Sequence, residues 1–139
     1  MPKRPFITFD QARAAINAMS DQATQPPVTP VAMTIVDEAG NLIAYAHMDN
    51  LRLFSKRHSI RKAYTSAITG TDSGANGDRL KSAGGSISDL GDSNITPAQG
   101  GVVVLSKNSE IMGGIGVAGC PSGEEDEALA RVGLSAMSL

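Results

Sequence analysis

With 139 residues, 41% of them hydrophobic, the chain has the size and composition of one globular domain, 1–139, and not of a disordered polymer. Its net charge of −2 gives no general pull toward nucleic acid or anionic membrane, and its single cysteine excludes an internal disulfide and a cysteine-rich metal site. No apolar run approaches the ~20 residues of a membrane span, and the basic start, residues 1–6, lacks the apolar core of a signal peptide, so a cytoplasmic location is expected.

Thr8 reads as the cap of a first helix ending near Ala23, with Gln11 at the capping-box position and Phe9, Ala12, Ile16, Met19 and Ala23 on one apolar face. Pro26, Pro27 and Pro30 stop it. Residues 31–36 form a β-branched strand, Gly40-Asn41 suits a turn with positive φ, and residues 42–48 return, which makes a hairpin. From about 52 to 68 the pattern is helical, with Leu53, Ile60, Tyr64, Ala67 and Ile68 able to share a face, and Gly70 as the stop. Residues 70–101 are rich in Gly, Ser, Asn and Asp, with a short helix placed around 76–83; so long a stretch is functional, mobile or used between subunits. Residues 102–105 and 110–119 form a second hairpin, and Ser122 opens a last helix, 122–137, with Leu129, Val132, Gly133 and Ala136 inward. The expected architecture is α+β: an antiparallel sheet of two hairpins flanked by three main helices at about 8–23, 52–68 and 122–137.

The most distinctive stretch is residues 111–128, with glycines at 113, 114, 116, 119 and 123 and four acids at 124–127. Gly114-Ile-Gly-Val-Ala-Gly119 fits the G-x-G-x-x-G dinucleotide fingerprint, but no second parallel strand follows and the acids would repel a pyrophosphate. A core strand packed closely on a helix is expected instead. Ser122 and Glu125 have capping-box spacing.

The candidate groups are few. His47 and His58 are the only imidazoles, each either an iron ligand or base, or a surface or interface residue. Cys120 follows a glycine at a helix start, where the acids after it oppose a thiolate, so an inert thiol is expected. The basic segment Arg52, Lys56, Arg57, His58, Arg61 and Lys62 either anchors carboxylates, with Arg52 and Arg61 as contacts, or is solvated or paired with the acids at 124–127. The glycine-rich 84–101 stretch, Gly100 and Gly101 included, either offers N–H groups to a ligand or is an ordered loop, and Glu125 at the helix opening is a further ligand-binding candidate.

Taken in order, Phe9-Asp-Gln-Ala12, Ile35-Val-Asp-Glu-Ala-Gly-Asn-Leu42, Met48-Asp49, Lys62-Ala-Tyr-Thr65, Gly100-Gly101-Val102 and 113–123 with Asp126, Ala130 and Gly133 resemble the GlcG/HbpS-like (DUF336) family, whose domain also ends some corrinoid adenosyltransferases. The resemblance spans nearly the whole chain. It implies a profilin-like sandwich, a homo-oligomer and a small-molecule ligand, in several members haem or a related tetrapyrrole. It also sets Lys62, Tyr64 and Asp126 apart as candidate acid/base groups, or else as a buried hydrogen-bond network. In haem-binding members a histidine on the first helix matters for the iron; here that helix has none, which leaves His47, His58, water or a neighbouring subunit and predicts weak or absent haem binding. Three readings follow: a tetrapyrrole-binding oligomer, a cofactor-independent lyase or isomerase acting on a small organic acid, and an accessory subunit without chemistry.

Overall fold

A computed structural model describes residues 4–139; the first three residues of the basic start lie outside it. The chain runs through α1 (Phe9–Ala23), β1 (Ala32–Asp37), β2 (Leu42–His47), α2 (Leu53–Thr69), α3 (Ser73–Ser82), a 3₁₀ turn (Ile87–Leu90), β3 (Gly101–Leu105), β4 (Ile111–Ala118) and α4 (Gly123–Ala136). The two hairpins join through antiparallel β1 and β4 into one sheet of order β2-β1-β4-β3. The expected architecture is therefore present, with α3 a fourth and shorter helix beginning three residues earlier than the sequence pattern suggests.

Period-two alternation sorts the sheet's side chains between two layers. Met33, Ile35, Val102, Val104, Ile115 and Val117 point to α1 and α4, whose Ala12, Ala15, Met19, Leu129 and Ala130 close the main core. Thr34, Gly114 and Gly116 point the other way, to α2. Thr8 and Gln11 form the expected reciprocal capping box on α1. At α4 only half of the box forms: Ser122 Oγ accepts from the Glu125 N–H, while its hydroxyl donates to the Glu125 carboxylate.

The inner face of α2 differs from the expected one. Leu53 is 81% exposed and Ile68 42%, whereas Ser55, Ser59, Ala63, Ser66 and Ala67 are buried. The cause lies in the strands. A side-chain carbon at Gly101, Gly114 or Gly116 would come within 3.0 Å of the carbonyl oxygen of Lys62, Ala63 or Ser59 respectively. Backbone meets backbone there, so only small residues fit between, and the larger apolar ones are turned out. The few polar groups at this contact are satisfied: the Ser59 hydroxyl donates to the Gly116 carbonyl and accepts from Thr34.

Gly40 fills the turn of the first hairpin at φ 83°, and the Tyr64 ring lies on it so closely that no side chain fits. At the opposite edge Asp72 precedes α3. One carboxylate oxygen accepts the outward N–H of Val103 on β3, and the other pairs with Arg131 of α4.

Candidate functional site

Two residues apart on a helix, Lys62 and Tyr64 leave α2 in nearly opposite directions. The structure accordingly brings Lys62 and Asp126 together and sends Tyr64 elsewhere. Lys62 Nζ donates to Asp126 Oδ2 at 2.9 Å and to the Val117 carbonyl at 2.9 Å, with both side chains buried. Asp126 Oδ1 accepts the Cys120 N–H at 2.9 Å. The pair therefore ties α2 to the end of β4 and the first turn of α4. Gly100 lies against it, since a side chain there would meet both Lys62 Nζ and Asp126 Cβ. The Gly101 N–H is donated to Ser73 Oγ. Tyr64 donates to Asp92 at 2.6 Å, and this bond raises its pKa and lowers that of Asp92.

Cys120 is half-buried, and burial first, then the hydrogen bond and charge of Asp126, push its thiol up to about 12. It is a protonated thiol at neutral pH, as the neighbouring acids suggested.

The two histidines sit in different settings. His47 closes β2, exposed, with Nδ1 3.2 Å from the Met48 carbonyl and its ring edge-on to Tyr45. His58 lies on α2 one turn before Lys62, stacked on Phe54 with centroids 4.6 Å apart. Its Nδ1 is buried without a hydrogen-bond partner. Burial, and then the charges of Lys62 and Arg61, lower its pKa from 6.5 to about 4, with Asp126 opposing. The imidazole is thus neutral at physiological pH, the form that ligates metals. Among the described residues no three His, Cys, Asp or Glu side chains converge as a metal site.

The outer surface of α2 combines what the sequence had left apart. Leu53 and Phe54 are exposed, 81% and 62%. Arg52, whose backbone caps α2 without a side-chain hydrogen bond, and Arg57 are exposed, and Lys56 and Arg61 half-buried. Glu125 is elsewhere, on a cleft beside α1. The exposure of Leu53 and Phe54 was hidden in the sequence because a helical apolar pattern points to a core. The signal that would have found them is the competing stripe Ser55, Ser59, Ala63, Ala67 at spacing four, matched to the strand glycines.

The depressed His58 pKa makes a test of this setting. The unfolded chain takes up a proton near 6.5 and the native one near 4, so stability is full above the first value and declines as pH falls toward the second. Urea midpoints of the wild type should drop more steeply between those pH values than midpoints of His58→Gln; parallel curves would mean the imidazole is not shielded.

A three-layer α+β domain, with a small-residue helix on a glycine-rich sheet and a neutral imidazole on an aromatic surface patch, is the class of protein the geometry defines. Residues 7–135 match the family model described as haem degrading protein HbpS-like, and the chain belongs to that family. A double mutant of Streptomyces reticuli HbpS is 27% identical, with a TM-score of 0.85 over 97% of this chain and 89% of that one. Klebsiella pneumoniae protein ORFY, of family DUF336, is 25% identical with a TM-score of 0.85 over 99% and 94%. The structure described as a PduOC:haem complex shares the fold at 22% identity, with a TM-score of 0.82 over 95% of each chain. No curated protein matches the chain. Among the described residues no helix is long and apolar enough to cross a membrane.

Proposed function

We propose that this chain is a small-molecule-binding protein whose ligand is haem or a related planar tetrapyrrole, and that it works as a homo-oligomer. Family membership over residues 7–135 supports the ligand class. The observation that carries the reading to this chain is His58: a neutral imidazole stacked on the exposed Phe54 ring, its Nδ1 buried and without a hydrogen-bond partner. These residues fit the group. Phe54 would suit the macrocycle face, Arg57 and Arg61 on either side of His58 along α2 would suit its carboxylates, and the imidazole would be the group to hold the iron. Haem, when bound, would supply the iron. The chain's own part is to orient the ring through Phe54, to keep His58 unprotonated, and to hold the acid groups at the arginines.

Hemin titration followed in the Soret region tests this. The expected result is a shift that saturates at one ligand per chain, with a five-coordinate spectrum, lost in His58→Ala and retained in His47→Ala. A shift that never saturates, or one lost only in His47→Ala, would reject the assignment. Light scattering at micromolar concentration should give a multiple of the chain mass; a monomer would overturn the assembly.

A further inference from the structure

A second concave site lies away from His58. A cleft of about 470 Å³ opens between the C-terminal end of α1, the 26–29 loop and the first turns of α4. Ala23, Pro26, Pro27, Leu129 and Val132 make its apolar wall, and Gln22, Gln25, Glu125 and Cys120 bring the polar atoms. That size, and a mainly apolar lining with a few polar groups, are those of a small-molecule pocket.

The charge of the lining has one sign. Among its residues Glu125 is the one acidic side chain, no lysine or arginine lines it, and the Cys120 thiol stays protonated. One oxygen of Glu125 accepts from the Ser122 hydroxyl, and the side chain is otherwise exposed. The end of α1 carries the helix's partial negative charge, and no basic residue in its last turn offsets it. The α4 start would contribute the opposite sign, but Glu124, Glu125 and Asp126 fill its first turn. Asp126 is spent on Lys62, which leaves Glu125 as the charge facing the cleft.

We propose that this cleft binds a small organic cation, an ammonium on an apolar body, with Glu125 as the counter-charge and the Gln22 and Gln25 amides as further hydrogen-bond acceptors. The site stands independently of the haem reading.

Because the chain has no tryptophan, a naphthalene probe can be followed by its own fluorescence. Three probes share one body: naphthylmethylammonium, naphthylmethanol and naphthoate. The ammonium should saturate and bind roughly fivefold tighter than the alcohol, as a partly exposed charge pair allows, with naphthoate weakest. Glu125→Gln should erase the ammonium's advantage and leave the alcohol unchanged. Ala128→Phe, at an exposed position on the rim, should block both. Thermal melts of each variant exclude unfolding as the cause. Naphthoate binding as tightly as the ammonium, a preference that survives Glu125→Gln, or no saturable ammonium signal from folded protein would each overturn the proposal.

Discussion

Gly116→Ala should be among the most destabilising single-methyl changes in the chain. The added carbon would sit within 3.0 Å of the Ser59 carbonyl oxygen and of the Ala63 nitrogen. Both are backbone atoms held in the middle of α2, so neither can rotate aside. The stiffer unfolded chain of an alanine gains only about 0.4–1 kcal/mol. Overpacking costs up to about 3 kcal/mol, and this position belongs at that upper end. The melting point should fall by roughly 10 °C. Gly133→Ala is the control: the three atoms nearest its new carbon all belong to the flexible Met19 side chain and none to backbone, so its cost should stay below about 1 kcal/mol. Equal melting points for the two variants would show that α2 stands further from the sheet.

The second large effect is expected at Lys62 and Asp126. Their 2.9 Å contact is almost wholly removed from solvent. Losing either partner leaves the other charge buried and unanswered, a loss of about 3–5 kcal/mol. Lys62→Met strands the Asp126 carboxylate with the Cys120 N–H; Asp126→Asn keeps that hydrogen bond but leaves the ammonium unpaired. The double variant Lys62→Met with Asp126→Asn removes both buried charges together and keeps the Cys120 N–H bonded. It should lie nearer the wild type than either single change in urea unfolding. Strictly additive losses would mean that the two side chains do not depend on each other.

The backbone elements were legible because their punctuation is local. Thr8 with Gln11, the three prolines after α1, Gly40 and Gly70 each act within one turn of their own position, and each marks the boundary found. Which face α2 buries was not legible from α2 alone. The decision rests on glycines some 40–60 residues away, which admit a serine or alanine and reject a leucine. The same long range hid the candidate sites. Lys62 and Asp126 stood out in the sequence, and they meet; Tyr64 stood beside Lys62, and the helix turned it to Asp92. Glu125 adjoins Asp126 and faces a different space, with Gln22 from the end of α1 and Gln25 from the turn after it, a hundred residues earlier.

The two margins of the sheet are chemically unequal. On β3 the outward N–H of Val103 is already taken by Asp72, and Arg131 holds that carboxylate in place from behind. An incoming strand would have to displace a charged acceptor and break an ion pair before it could add a single rung. On β2 the margin carries no such plug among the described hydrogen bonds, and its residues are half-exposed. Side-by-side growth of the sheet therefore meets more resistance at β3, where Asp72 and Arg131 stand in the way, than at the first hairpin.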